Sequence, residues 1–118
     1  MTDRELLEQA AKAAGIKVKG YFEDEPTLLI KPGIRLPPAR WNPLTDDGDA
    51  LRLAVTLYLS IKIFRPTFDD FEAPGMVEIW HDNGTDPIHV EYYDMCNGRQ
   101  AATRRAIVRA AASIGGEL

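Results

Sequence analysis

Trp41-Asn42-Pro43-Leu44-Thr45-Asp46-Asp47-Gly48-Asp49-Ala50, with the apolar run Leu51 to Leu59 behind it, is the stretch on which the reading of this chain turns. Pro43 forces Asn42 into extended geometry, and Thr45 or Asp46 can accept hydrogen bonds from the first free amides, so a helix start near residue 46 is expected. Asp46, Asp47 and Asp49 then lie in the first turn, where each carboxylate favours the positive end of the helix dipole by roughly 0.3–1 kcal/mol. From Ala50 onward only Arg52 and Thr56 are polar, a stripe too wide for a helix packed on one side. The expectation is a helix from Asp46 to Leu59, mostly buried in the middle of the domain.

Upstream, Thr2-Asp3-Arg4-Glu5 has the capping-box pattern, with Leu6, Leu7, Ala10, Ala11, Ala13 and Ala14 at helical spacing and Gly15 as the stop. Ile16-Lys17-Val18-Lys19 alternates apolar and charged, predicting a strand that runs on to Phe22. Thr27 to Ile30 returns as its partner. Residues 32 to 44 hold Pro32, Pro37, Pro38 and Pro43, which excludes helix and any central strand and leaves a stiff, extended connection. Trp41 is its anchor, expected to pack over the core, with a ligand-stacking platform as the functional alternative.

Downstream, Ile61-Lys62-Ile63-Phe64 reads as a strand, and Met76 to Asp82 with Ile88 to Tyr93 as a hairpin turning at Asn83-Gly84. A tight two-residue turn would set Trp80 against Pro87, which cannot donate, so a wider four-residue loop or Pro87 on an open edge stands as an equal alternative. Either way Val77, Ile79, Ile88 and Val90 are predicted on one face. Glu78, Trp80, His89 and Glu91, joined by Tyr93 if the strand runs on, are predicted on the other. A last helix from about Gln100 to Ile114 buries Thr103, Ile107, Ala110, Ala111 and Ile114, and its alanines would allow close approach to a sheet. The order α-β-β-α-β-β-β-α is an α+β fold, best satisfied by an antiparallel sheet with helices packed on its faces.

At 118 residues the chain is expected to be a single domain that buries roughly two thirds of its unfolded surface. Its apolar stretches are too short to cross a bilayer and the N-terminus lacks a leader pattern, so a cytoplasmic protein is expected. Cys96 stands alone and reads as a packed side chain rather than a nucleophile. The net charge of −4 conceals a segregation: residues 66 to 94 hold eight acids and no Lys or Arg, whereas residues 96 to 118 carry +3. Neighbouring elements that neutralise each other, or two separate binding faces, both fit this pattern.

No glycine-rich phosphate loop, GxSxG, HExxH or paired-cysteine motif occurs, so no enzyme activity, cofactor or metal is expected. Asp46, Asp47 and Asp49 lack calcium-loop spacing. Glu78, His81, His89 and Glu91 share one hairpin, but the two histidines point to opposite faces and one site cannot readily use both.

Trp41-Asn42-Pro43-Leu44-Thr45-Asp46 leading into an Ala/Leu helix, together with Ala102-Thr103-Arg104-Arg105-Ala106-Ile107, resembles the phage ABA sandwich domain family of tailed bacteriophages and prophages. The resemblance covers about a third of the chain. It implies a sheet between helical layers, a phage or prophage origin, hence a bacterial host cytoplasm, and no established activity. The first expectation for function is therefore a non-enzymatic accessory protein that binds a host or phage protein, for example to inhibit a defence system. Phe68, Phe71 and Trp80 would be its apolar anchors, with Glu78, His89 and Glu91 around them. The alternative is a small-ligand or nucleotide binder using the Trp41 loop or the Arg104, Arg105 and Arg109 face, where Arg105 and Arg109 stand one turn apart. Acidic bulk charge argues against direct nucleic-acid binding, and a homodimer stays open.

Overall fold

The computed structural model describes residues 1–33, 36–66, 74–82, 84–93 and 98–116. Helix α1 (Asp3–Ala13) starts where Thr2 Oγ1 accepts from the Glu5 amide, and ends at Gly15 with φ +70°. The Ile16 amide donates to Ala11 O at 2.9 Å, closing the terminal turn as the glycine allows. Strands β1 (Val18–Tyr21), β2 (Leu28–Ile30) and β3 (Ala39–Trp41) form one antiparallel sheet in that order, sheet A. Arg4 ties α1 to the β1–β2 turn, donating to Phe22 O at 2.7 Å and lying over the Tyr21 ring.

Strand β3 is an addition to the expected order. Prolines exclude a central strand but not an edge one, and β3 is one of the two edges of sheet A, framed by Pro38 and Pro43. Trp41 packs as expected, opposite Leu28 and only 3% exposed. Behind it buried Asn42 fixes the loop: its side chain donates to Thr27 Oγ1 at 3.1 Å and accepts from the Leu44 amide at 3.0 Å. Its own amide donates to Asp49 Oδ2 at 3.0 Å, clamping β3 to the next helix.

Helix α2 (Asp47–Thr56) begins as expected, with Asp46 as cap accepting from the Asp49 amide at 2.8 Å. Its end and its burial differ from expectation. Leu57 caps it, Tyr58 takes φ +56°, and the Leu59 amide donates to Ala54 O at 2.9 Å. This is the same stop as at Gly15, built without a glycine. Only Ala50, Leu53 and Ala54 are buried, whereas Leu51 is 61% and Val55 66% exposed.

Strands β4 (Ser60–Phe64), β5 (Gly75–Trp80) and β6 (His89–Tyr93) form a second antiparallel sheet, sheet B, in that order. The α+β class with antiparallel pairing holds, as two three-stranded sheets rather than one. Helix α3 (Arg99–Gly116) packs on β5 and β6, on α2 and most extensively on α1. It runs through the expected stop at Gly115-Gly116. A Cβ on Gly115 would sit 2.0 Å from Gln9 O, so the glycine is what lets the α1 and α3 backbones touch. The alanines of α3 thus serve a helix contact as well as the sheet contact expected. Among the described residues no helix is long and apolar enough to cross a membrane.

Candidate functional site

The face assignment of the β5–β6 hairpin decides which residues can form a site, and the structure corrects it. Val77 pairs with Glu91 and Ile79 with His89, so these four share one face, the face under α3. Glu78, opposite Val90, lies on the other, as does Met76, opposite Tyr92. The predicted set Glu78, Trp80, His89, Glu91 is therefore split by a one-residue change of register. The pair Gly75 and Tyr93 explains the choice. A Cβ on Gly75 would lie 2.2 Å from Tyr93 Cζ, so the ring crosses a strand only where a glycine stands, and its hydroxyl donates to Phe64 O at 2.7 Å.

On the inner face Glu91 becomes the hub of a small polar cluster. Arg109 donates to both carboxylate oxygens, at 2.7 and 2.9 Å, and His89 Nε2 lies 3.0 Å from Oε1. A carboxylate only accepts, so that histidine nitrogen carries the proton. Burial works against ionising Glu91, yet the hydrogen bonds from His89 and Arg109 outweigh it and hold the carboxyl below its ordinary value. The cluster is internally satisfied, and it joins β6 to α3.

The arginine face is divided in the same way. Arg104 donates from Nε to Leu44 O at 2.9 Å and from Nη1 to Asp47 at 2.7 Å, clasping the start of α2. Arg109 is engaged by Glu91 on β6, and Arg105 is exposed without a partner among the described residues. Two of the three guanidinium groups thus serve contacts between elements. Phe68 and Phe71, like Cys96, lie outside the described residues. Among the described residues no group of three or more His, Cys, Asp or Glu side chains is placed to hold a metal ion.

What the register does assemble is the outer face of sheet B. Phe64 pairs with Met76, and Tyr92 pairs with Met76 from the far side, so these side chains form a row across the three strands. Trp80 and Glu78 continue the face along β5, with Trp80 Nε1 donating to Glu78 at 3.3 Å and Lys62 Nζ 4.6 Å from the indole centroid. Phe64 is 43% and Tyr92 62% exposed, while Met76, Trp80 and Val90 are half-buried. An antiparallel sheet covered on one side usually turns polar residues outward. Here Lys62, Glu78 and Ser60 are the polar members of a face otherwise aromatic and aliphatic. Phe64, Val90 and Tyr92 are the members that strand alternation alone misses, and the signal that places them is Gly75 opposite Tyr93.

In comparisons with known proteins the chain matches no family model, no curated protein sequence and no solved structure.

Proposed function

We propose that this protein is a non-enzymatic binding module, an accessory protein of a phage or prophage, which docks a host or phage protein on the outer face of sheet B in the bacterial cytoplasm. One observation carries the reading: a sheet face that, among the described residues, has no covering helix and that presents Phe64, Met76, Trp80, Val90 and Tyr92. Contiguous exposed apolar surface of this kind marks protein interaction sites, and aromatic anchors dominate their energetics. Glu78 and Lys62 supply the polar contacts inside it. The phage setting rests on the resemblance of the Trp41 to Asp46 and Ala102 to Ile107 segments, and inhibition of a defence system is one form such docking would take. Non-enzymatic action is supported by the satisfied Glu91 cluster, whose acid and base groups are spent on each other and on Arg109.

The test is site-specific photo-crosslinking in host cells, with the reactive residue placed at Tyr92 and, as control, at exposed Thr45. A discrete adduct with another protein is expected from Tyr92 alone, and Phe64→Glu should remove it. An adduct only with a second copy of this chain would make the face a homodimer interface. Equal labelling from both positions, or none, would refute the reading.

A further inference from the structure

A second surface, independent of sheet B, is a cleft of about 710 Å³ between sheet A and α2. Its floor is apolar, made by Ile16, Ile30, Trp41 and Leu53. Its rim carries Lys17, Lys19, Lys31, Arg40 and Arg52 against one carboxylate, Asp49, in a chain of net charge −4. That carboxylate is already committed, accepting from the Asn42 amide at 3.0 Å and from Arg52 at 2.7 Å. Arg40 is bonded to Glu25 and stacked on Phe22. The three lysines, by contrast, have no ion-pair partner among the described residues.

The fold brings these lysines together at a cost. The β1–β2 pairing sets Val18 opposite Ile30, and just beyond it the Lys31 amide donates to Lys17 O at 3.2 Å. Like charges on neighbouring strands repel, and among the described residues no carboxylate is paired with these lysines. Lysine ammonium groups are point-charge phosphate binders, and a cleft walled by one sign of charge concentrates ions of the other. Arg52 stays with Asp49 at 2.7 Å and lies 3.8 Å from Asp46, so the charge left for an incoming anion is that of the lysines.

We propose that this cleft binds a small molecule bearing two or more phosphates on an apolar or planar body, of the size and chemistry of a nucleoside di- or triphosphate. Three cations without an ion-pair partner among the described residues call for more than one negative charge. The floor calls for a body that inorganic phosphate lacks, and the volume falls within the roughly 300–1,000 Å³ typical of small-molecule sites.

Isothermal titration of the full chain in low-salt buffer tests this, with ATP, ADP, AMP, adenosine, tripolyphosphate and a single-stranded oligonucleotide series. The expected order is ATP above ADP above AMP, with adenosine silent and tripolyphosphate weaker than ATP. Affinity should fall with added salt. The double variant Lys17→Ala with Lys31→Ala should lose about tenfold or more, since it removes two charge-assisted contacts. Its melting temperature should be unchanged or slightly raised, because both side chains are exposed and their mutual repulsion is relieved. Lys62→Ala and Tyr92→Glu, on sheet B, should leave the affinity as it was, which separates this site from the docking face. No heat with any phosphate ligand, equal affinity for ATP and tripolyphosphate, or indifference to the two lysines would overturn the proposal. So would binding that appears only with oligonucleotides and grows with their length, which would make the cleft a nucleic-acid groove.

Discussion

Helix α2 holds Leu51, Leu53 and Val55 and leaves two of the three in solvent, whereas α3, dominated by alanine, buries Ala102, Ala106, Ala110 and Ala111 together with Ile107 and Val108. The richer hydrophobe lies at the rim and the poorer one at the centre. Small side chains make the difference, because α3 must touch α1, α2 and sheet B at once and leucines on every side would hold those neighbours apart. Burial here follows how near the neighbours can come, and hydropathy ranks the two helices the wrong way round.

The sharpest way to break this comparison is to truncate one buried and one exposed leucine of the same helix. Leu53 is 1% exposed, so Leu53→Ala should cost about 2–5 kcal/mol, while Leu51→Ala should stay within about 0.5 kcal/mol. Urea unfolding of the pair measures it, and similar losses would mean that α2 is buried after all. On α3 the corresponding change adds an atom. Gly115→Ala puts a methyl group against the α1 backbone and should cost about 1–3 kcal/mol or more, although alanine is the better helix former. A stabilised variant would show that the two helices do not touch there.

A smaller effect is expected where α3 meets sheet B. Arg109→Ala should cost about 1–2 kcal/mol, because it strips a half-buried carboxylate of the one nitrogen, Arg109 Nη1, that donates to both its oxygens. Glu91 has its carboxyl held below the ordinary value, so its contribution is present above that value and is lost as pH falls through the lowered one. In acid titrations of stability, Glu91→Gln should flatten that segment of the curve, and an unchanged curve would remove the cluster from the account. The smallest effect returns to α2. Tyr58 is 76% exposed at φ +56°, a conformation that strains any side chain, so Tyr58→Gly should stabilise by about 0.5–1 kcal/mol. A lower melting temperature would argue that its ring has a partner.

These contrasts also explain what could be read from the chain beforehand. Thr2, Gly15 and Asp46 announce their helix boundaries through local chemistry, and each boundary stands where they put it. The end of α2 carries no such mark, because Tyr58 occupies a position that glycine normally signals. Strand alternation places the hairpin but not its register, since a slip by one residue exchanges the faces; only the room that Gly75 leaves for Tyr93 settles that. Edge strand β3 hides among prolines. The basic cleft is invisible for a different reason: Lys17 and Lys19 are far along the chain from Lys31 and Arg52, and only the β1–β2 pairing and the placement of α2 gather them.

The contact through Gly115 has a temporal consequence. It joins the 11-residue α1 to a helix that begins at Arg99, so all the strands of both sheets must be synthesised before α1 meets its main neighbour. A helix that short is marginal by itself in water. During translation, α1 and the inner face of sheet B therefore remain unsheltered until α3 emerges, and it is α3 that closes the core.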